Sequence, residues 1–297
     1  MNWKQIFAGD GGLRAGWRLL IWFVILLGLS TVVNLIIIWV FHPRDHAFLD
    51  PLRLMVADVV PGFIPALIAT AAMARLEGRS FRDYYVPRRG VFGRQFWLGI
   101  LWGVLAVSLL VGMIAAAGGY KILGIAMSGV ALVHWTTLWI AASLVIGVVE
   151  EFTFRAYLLR TLADGIGFWP AALLLSLGFG ALHYFTKPYE RWEDFASTGL
   201  LGLFLCLTIR RTGTIAFATG WHAAFDWGAI YVYSGRNAGE YALGHLLTTA
   251  WPGSNRVTGG MLGPEASWFV FILIVLLFVG FAFAYRGRDD SRTSSEA

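Results

Sequence analysis

Apolar runs of about 20 residues, separated by short polar segments, recur along the 297-residue chain. A helix rises about 1.5 Å per residue, so runs of this length match a hydrocarbon core about 30 Å thick. No stretch alternates at period 2 as the wall of a membrane barrel would. A backbone in lipid must close its own hydrogen bonds, and a bundle of helices is the solution that remains. Eight spans are predicted, at about residues 16–41, 54–76, 96–117, 132–162, 168–185, 195–209, 214–233 and 268–285. The expected fold is all-α, a polytopic transmembrane bundle. Pro61 and Pro65 predict a kink in the second span, since each proline removes a helical N–H and crowds the preceding turn. Gly99 and Gly103 in the third span have the spacing that lets two helices approach closely. The fourth span is long enough to bend or tilt.

Composition agrees. Only 14% of residues are charged, against about 25% in soluble domains, and the mean hydropathy is +0.66. The net charge of +5 raises the question of nucleic acid, but the arginines gather at helix ends, as the cytoplasmic loops of membrane proteins require. No nucleic-acid partner is expected. With the N-terminus in the cytoplasm, 16 of the 23 Lys and Arg fall inside, from Lys4 to Arg292, and 7 outside (Arg44, Arg53, Lys121, Lys187, Arg191, Arg236 and Arg256). An even number of spans then puts both termini in the cytoplasm. The single cysteine, Cys206, lies in an apolar run, so no internal disulfide forms. The first apolar segment is too long for a signal-peptide core and reads as a retained helix.

Three units are expected: N-terminal helices over 1–129, a core over 130–234, and an external loop with the last helix over 235–297. Residues 77–95 are basic and aromatic, with Tyr84, Tyr85, Arg88 and Arg89 placed to lie along anionic headgroups. Residues 235–267 form a long external connection, either a lid or a plain linker. The last dozen residues read as a polar tail. No internal repeat of the transporter kind is present.

Ionisable residues at membrane depth are functional candidates, because burying them is expensive. Glu150 and Glu151 are adjacent in the fourth span. Glu151 and Arg155 share a helix face and can pair, which leaves Glu150 about 100° away and free to point elsewhere. Phe179 and His183 stand near the far end of the fifth span. His222 and Asp226, four apart in the seventh, put an imidazole and a carboxylate on one face. Glu150 and His183 are each about 16 residues from the turn joining their helices, and so lie at similar depth. Such a set allows two chemistries. A buried glutamate can act as a base toward water with histidines steadying an oxyanion, or two histidines and carboxylates can hold Zn²⁺ with a bound water.

The three elements, in this order, resemble the CPBP family, which comprises the type II CAAX prenyl proteases and the bacteriocin-processing Abi proteins. Its EExxxR pattern reads as Glu150, Glu151 and Arg155, its FxxxH as Phe179 and His183, and its HxxxN/D as His222 and Asp226. The resemblance covers about residues 130–232. It implies an intramembrane endopeptidase of the cell membrane, in a bacterial plasma membrane, whose site opens toward the cytoplasm and acts on a membrane-associated peptide, prenylated or bacteriocin-like. It makes Glu150 the catalytic base and assigns His183, His222 and Asp226 to an oxyanion or metal site, with Glu151, Arg155 and Phe179 in support. The family chemistry is described both as metal-dependent and as glutamate-dependent, so Zn²⁺ held by Glu150, His183, His222 and Asp226 is one of two expectations. Asp226 departs from the asparagine common in prenyl-processing members, and a carboxylate there is the better metal ligand. Two other readings compete: a non-catalytic immunity or regulatory partner, and a proton-coupled transporter using Glu150, Asp58 and the histidines.

Overall fold

A computed structural model describes residues 8–9, 12–41, 48–87 and 91–286 of the chain. Lys4, Arg44, Arg88, Arg89 and the polar tail from 287 onward lie outside the described residues. The fold is all-α. Eight helical segments run between two ends of a bundle: α1 (Ala15–Phe41), α2 (Pro51–Glu77), α3 (Arg94–Ala116), α4 (Gly129–Ile166), α5 (Phe168–Thr186), α6 (Trp192–Thr212), α7 (Ala216–Asp226) and α8 (Phe269–Ala284). The first six are long and apolar enough to cross a membrane. The eighth has 16 residues and the seventh only 11, extended by a π-helical turn over Trp227–Val232.

The brevity of α7 follows from its place. Phe217, Ala218, Trp221 and Phe225 are almost wholly buried, so α7 meets protein rather than lipid and needs no long apolar surface. It packs along α3 at very short range, and the glycine pair is the reason. A Cβ on Gly99 would lie 2.2 Å from the Phe217 carbonyl oxygen, and one on Gly103 would lie 2.4 Å from that of Trp221. Gly220 reciprocates, since its Cβ would meet the Phe96 carbonyl at 2.2 Å. Elsewhere large apolar side chains face outward, among them Trp39, Leu105 and Val275, as lipid-facing surface should.

Three helices contain a π-helical turn: Val59–Phe63 in α2, Thr153–Tyr157 in α4, and Trp227–Val232 beyond α7. The first contains Pro61 and is followed by Pro65, so the expected kink is there and has its expected cause. The other two contain no proline.

The ends differ in chemistry. At one end Arg18 reaches Asp164 at 2.8 Å and Glu77 at 3.3 Å, while Arg79 and Arg160 reach Asp164 at 2.7 and 3.1 Å. This network ties α1, α2 and α4 together. At the opposite end the connections are built against one another. Phe48–Leu49 pairs in parallel with Tyr241–Ala242, and Lys121–Ile125 pairs antiparallel with Leu247–Ala250. The 235–267 connection is therefore a structured cap. Its path requires glycine at Gly259, where φ is 82° and a Cβ would fall 1.6 Å from the Gly263 carbonyl. One cation is not where the sequence placed it. Arg155, counted with the inner loops, is 1% exposed and sits within the bundle.

Candidate active site

The site begins with an ion pair. One helical turn separates Glu151 from Arg155, and Arg155 Nη1 lies 2.5 Å from Glu151 Oε1. Both residues are essentially unexposed. A buried charge pair stays favourable only when its remaining polar atoms are also satisfied, and two neighbours serve that need. The Arg155 guanidinium stacks over the Phe179 ring, 4.8 Å from its centroid. The same Glu151 oxygen accepts a hydrogen bond at 2.9 Å from His222 Nδ1. Arg155, Glu151 and His222 thus form a chain that joins α4 to α7 and fixes the imidazole.

With Nδ1 committed, His222 turns Nε2 toward two carboxylates, Asp226 at 3.5 Å and Glu150 at 3.7 Å. His183 is fixed in a similar way. Its Nδ1 donates to the Phe179 carbonyl at 3.0 Å, since a carbonyl can only accept, and its ring lies 4.5 Å from that of Phe179. Nε2 is then the free nitrogen of both histidines. Glu150 diverges from Glu151 as the helix geometry predicts. Its side chain is 26% exposed, and Oε2 has no hydrogen-bond partner among the described residues. An unpaired buried carboxylate oxygen is costly and calls for a chemical reason.

These groups share a cavity of about 290 Å³, with Glu150, His183, His222 and Asp226 in its wall and Phe179 beside them. The expected shared depth of Glu150 and His183 is met. Asp58 of α2 lines the same space. The sequence singled it out as a buried acid without giving it this neighbourhood. Lys187, Asn237 and Glu265 also line the cavity, and no motif pointed to them. Lys187 stands one turn beyond His183, a faint sequence signal. Asn237 and Glu265 come from the long connection and carry none. At the rim, burial pushes the Glu265 carboxyl up to about 7 while Lys187 opposes the rise. The Lys187 ammonium is held above its ordinary range. Burial works against its charge, but Glu265 and Glu150 outweigh that cost.

Two of the three π-helical turns start directly after Asp58 and Asp226, and the third starts two residues after Glu151. A π turn widens the helix by one residue and re-aims the side chains beside it, which is why such turns gather at functional sites.

The expected metal set was tested against this geometry. Among the described residues, no three His, Cys, Asp or Glu side chains stand close enough together to hold a metal ion. In this arrangement His222 Nδ1 is occupied by Glu151 and the four candidates do not converge on one point, so the donor set does not fit the ion and no step is routed through one.

Residues 132–228 match the family model described as type II CAAX prenyl endopeptidase Rce1-like. Among curated proteins, none matches the chain. The matched segment holds all three motifs together with the Arg155–Glu151–His222 chain and both fixed imidazoles. Over residues 132–228, then, this polytopic membrane protein carries the family segment of the Rce1-like type II CAAX prenyl endopeptidases, the resemblance that its three motifs express.

Proposed function

We propose that the chain is an intramembrane endopeptidase, hydrolysing a peptide bond of a membrane-associated polypeptide with Glu150 as the base. The observation that carries this reading is the unpaired Oε2 of Glu150, in a cavity shared with two imidazoles whose Nδ1 atoms are already engaged. In the first step Glu150 takes a proton from water, and the water oxygen bonds to the carbonyl carbon of the scissile amide. Neutral His183, with its N–H turned to Phe179, offers Nε2 as an acceptor that orients this water. The carbonyl oxygen becomes an oxyanion, and His222 stabilises it by donating from Nε2. That role needs a proton on both ring nitrogens, which Glu151 on one side and Asp226 on the other favour by their charge. The C–N bond then breaks, and Glu150 returns its proton to the departing nitrogen. General-base assistance contributes about 10²- to 10⁴-fold, and a fixed oxyanion donor about 10²- to 10³-fold.

The test is Glu150→Gln in purified protein. Cleavage of a responsive membrane peptide should fall by about 100-fold or more, with an unchanged melting transition. Equal cleavage by variant and wild type would overturn the assignment. In cells, full complementation of a deletion by the same variant would favour the non-catalytic immunity or regulatory reading instead.

A further inference from the structure

The cavity is closed at one end and rimmed at the other. Beneath it, the buried Glu151–Arg155 pair and the Phe179 ring form a floor. Farther down, Phe204, Phe217 and Phe281 pack edge to face with no cavity-lining polar group among them. The rim is made by Leu49, Lys187, Asn237, Ala238 and Glu265. All five come from connections at the end where Phe48–Leu49 pairs with Tyr241–Ala242. The cations lie at the other end. With Arg155 internal, 15 of the remaining 22 Lys and Arg belong to segments of the closed end and 7 to those of the rim. Cytoplasmic loops retain Lys and Arg, and the Arg18–Asp164–Arg79 network marks the closed end as that side.

We infer that the cavity opens on the non-cytoplasmic face of the membrane, so that its substrate is a polypeptide segment presented there. This is opposite to the cytoplasmic opening implied by the resemblance. A chain tethered at the cytoplasmic surface would meet the closed, basic end and find no route to Glu150. The substrate part of the inference rests on the protease reading, whereas the side of the mouth does not.

Sidedness can be read without cleavage. The sole cysteine, Cys206, is buried, so Cys206→Ala supplies a cysteine-free background in the full chain. Ala238→Cys is placed at the rim, and Arg82→Cys is exposed at the basic end. A membrane-impermeant maleimide applied to intact expressing cells should label Ala238→Cys as fully as it does in detergent. Arg82→Cys should react only after permeabilisation. The reverse pattern, or labelling of Arg82→Cys from outside, overturns the inference. Thr248→Cys, exposed on the paired strands at the rim end, reads the same side if Ala238→Cys disturbs its turn. A failed Glu150 test would leave this result standing, and a cytoplasmic mouth would leave the Glu150 test standing.

Discussion

Glu151 is the residue on which the others depend. It neutralises Arg155 and anchors His222 through one oxygen, 2.5 and 2.9 Å from its two partners. Glu151→Gln would leave a guanidinium buried without a counter-charge, a change that costs about 3–5 kcal/mol. It should lower the melting transition sharply and also reduce cleavage, because the His222 ring loses its tether. Phe179→Leu keeps the volume and loses the stacked cation, worth about 0.5–2 kcal/mol, and should give a milder loss in the same two measurements. The Glu151–Arg155 pair was legible from four-residue spacing alone. The bond from His222 was not, since 71 positions separate its partners. Glu265 supplies a pH dependence at this scale. Its carboxyl is raised to about 7, so the folded chain holds that proton more tightly than the unfolded one does. The resulting stabilisation is present below the ordinary carboxylate value and is lost as pH rises through about 7. The melting temperature of the wild type should therefore fall between pH 5 and 8 more steeply than that of Glu265→Gln. Parallel slopes would show that this carboxyl is not the source.

At the scale of elements, the contact of α3 with α7 sets where the histidine stands. Gly103 faces the Trp221 backbone, the residue before His222. Gly103→Val should force the helices apart, at about 1–3 kcal/mol for overpacking, and carry His222 away from Glu151. Gly112, on the same helix, has nothing within 4 Å of a built Cβ. Gly112→Ala should leave cleavage unchanged and hold or raise the melting temperature, since alanine is about 1 kcal/mol the better helix former. The glycine spacing pointed to a close approach from sequence, but its partner helix lies more than a hundred positions away and no local pattern names it. The π turns divide the same way. Proline announces the one in α2, whereas those after Glu151 and Asp226 arise from the packing of whole helices and leave no mark in composition.

For the whole molecule, the bundle joins a segment of known family to helices that the family model does not reach. The extra elements contribute to the site: α2 brings Asp58, and the cap over 235–267 brings Asn237 and Glu265. Chelation bears on the molecule as a whole. Because the donors do not gather into a metal set, cleavage should continue undiminished after exhaustive treatment with a chelator, and restoration of lost activity by added Zn²⁺ would contradict the reading. By itself the sequence determined the number and order of the helical segments, because lipid permits few other ways to satisfy a backbone, and it determined the chemistry-bearing residues, because charge at membrane depth must have a cause. Tertiary structure decided which nitrogen of each histidine is free, which glutamate is bound and which is open, and which end of the bundle the cavity meets. Those are relations between residues far apart in the chain, fixed by helix packing, and a pattern read along one helix at a time contains none of them.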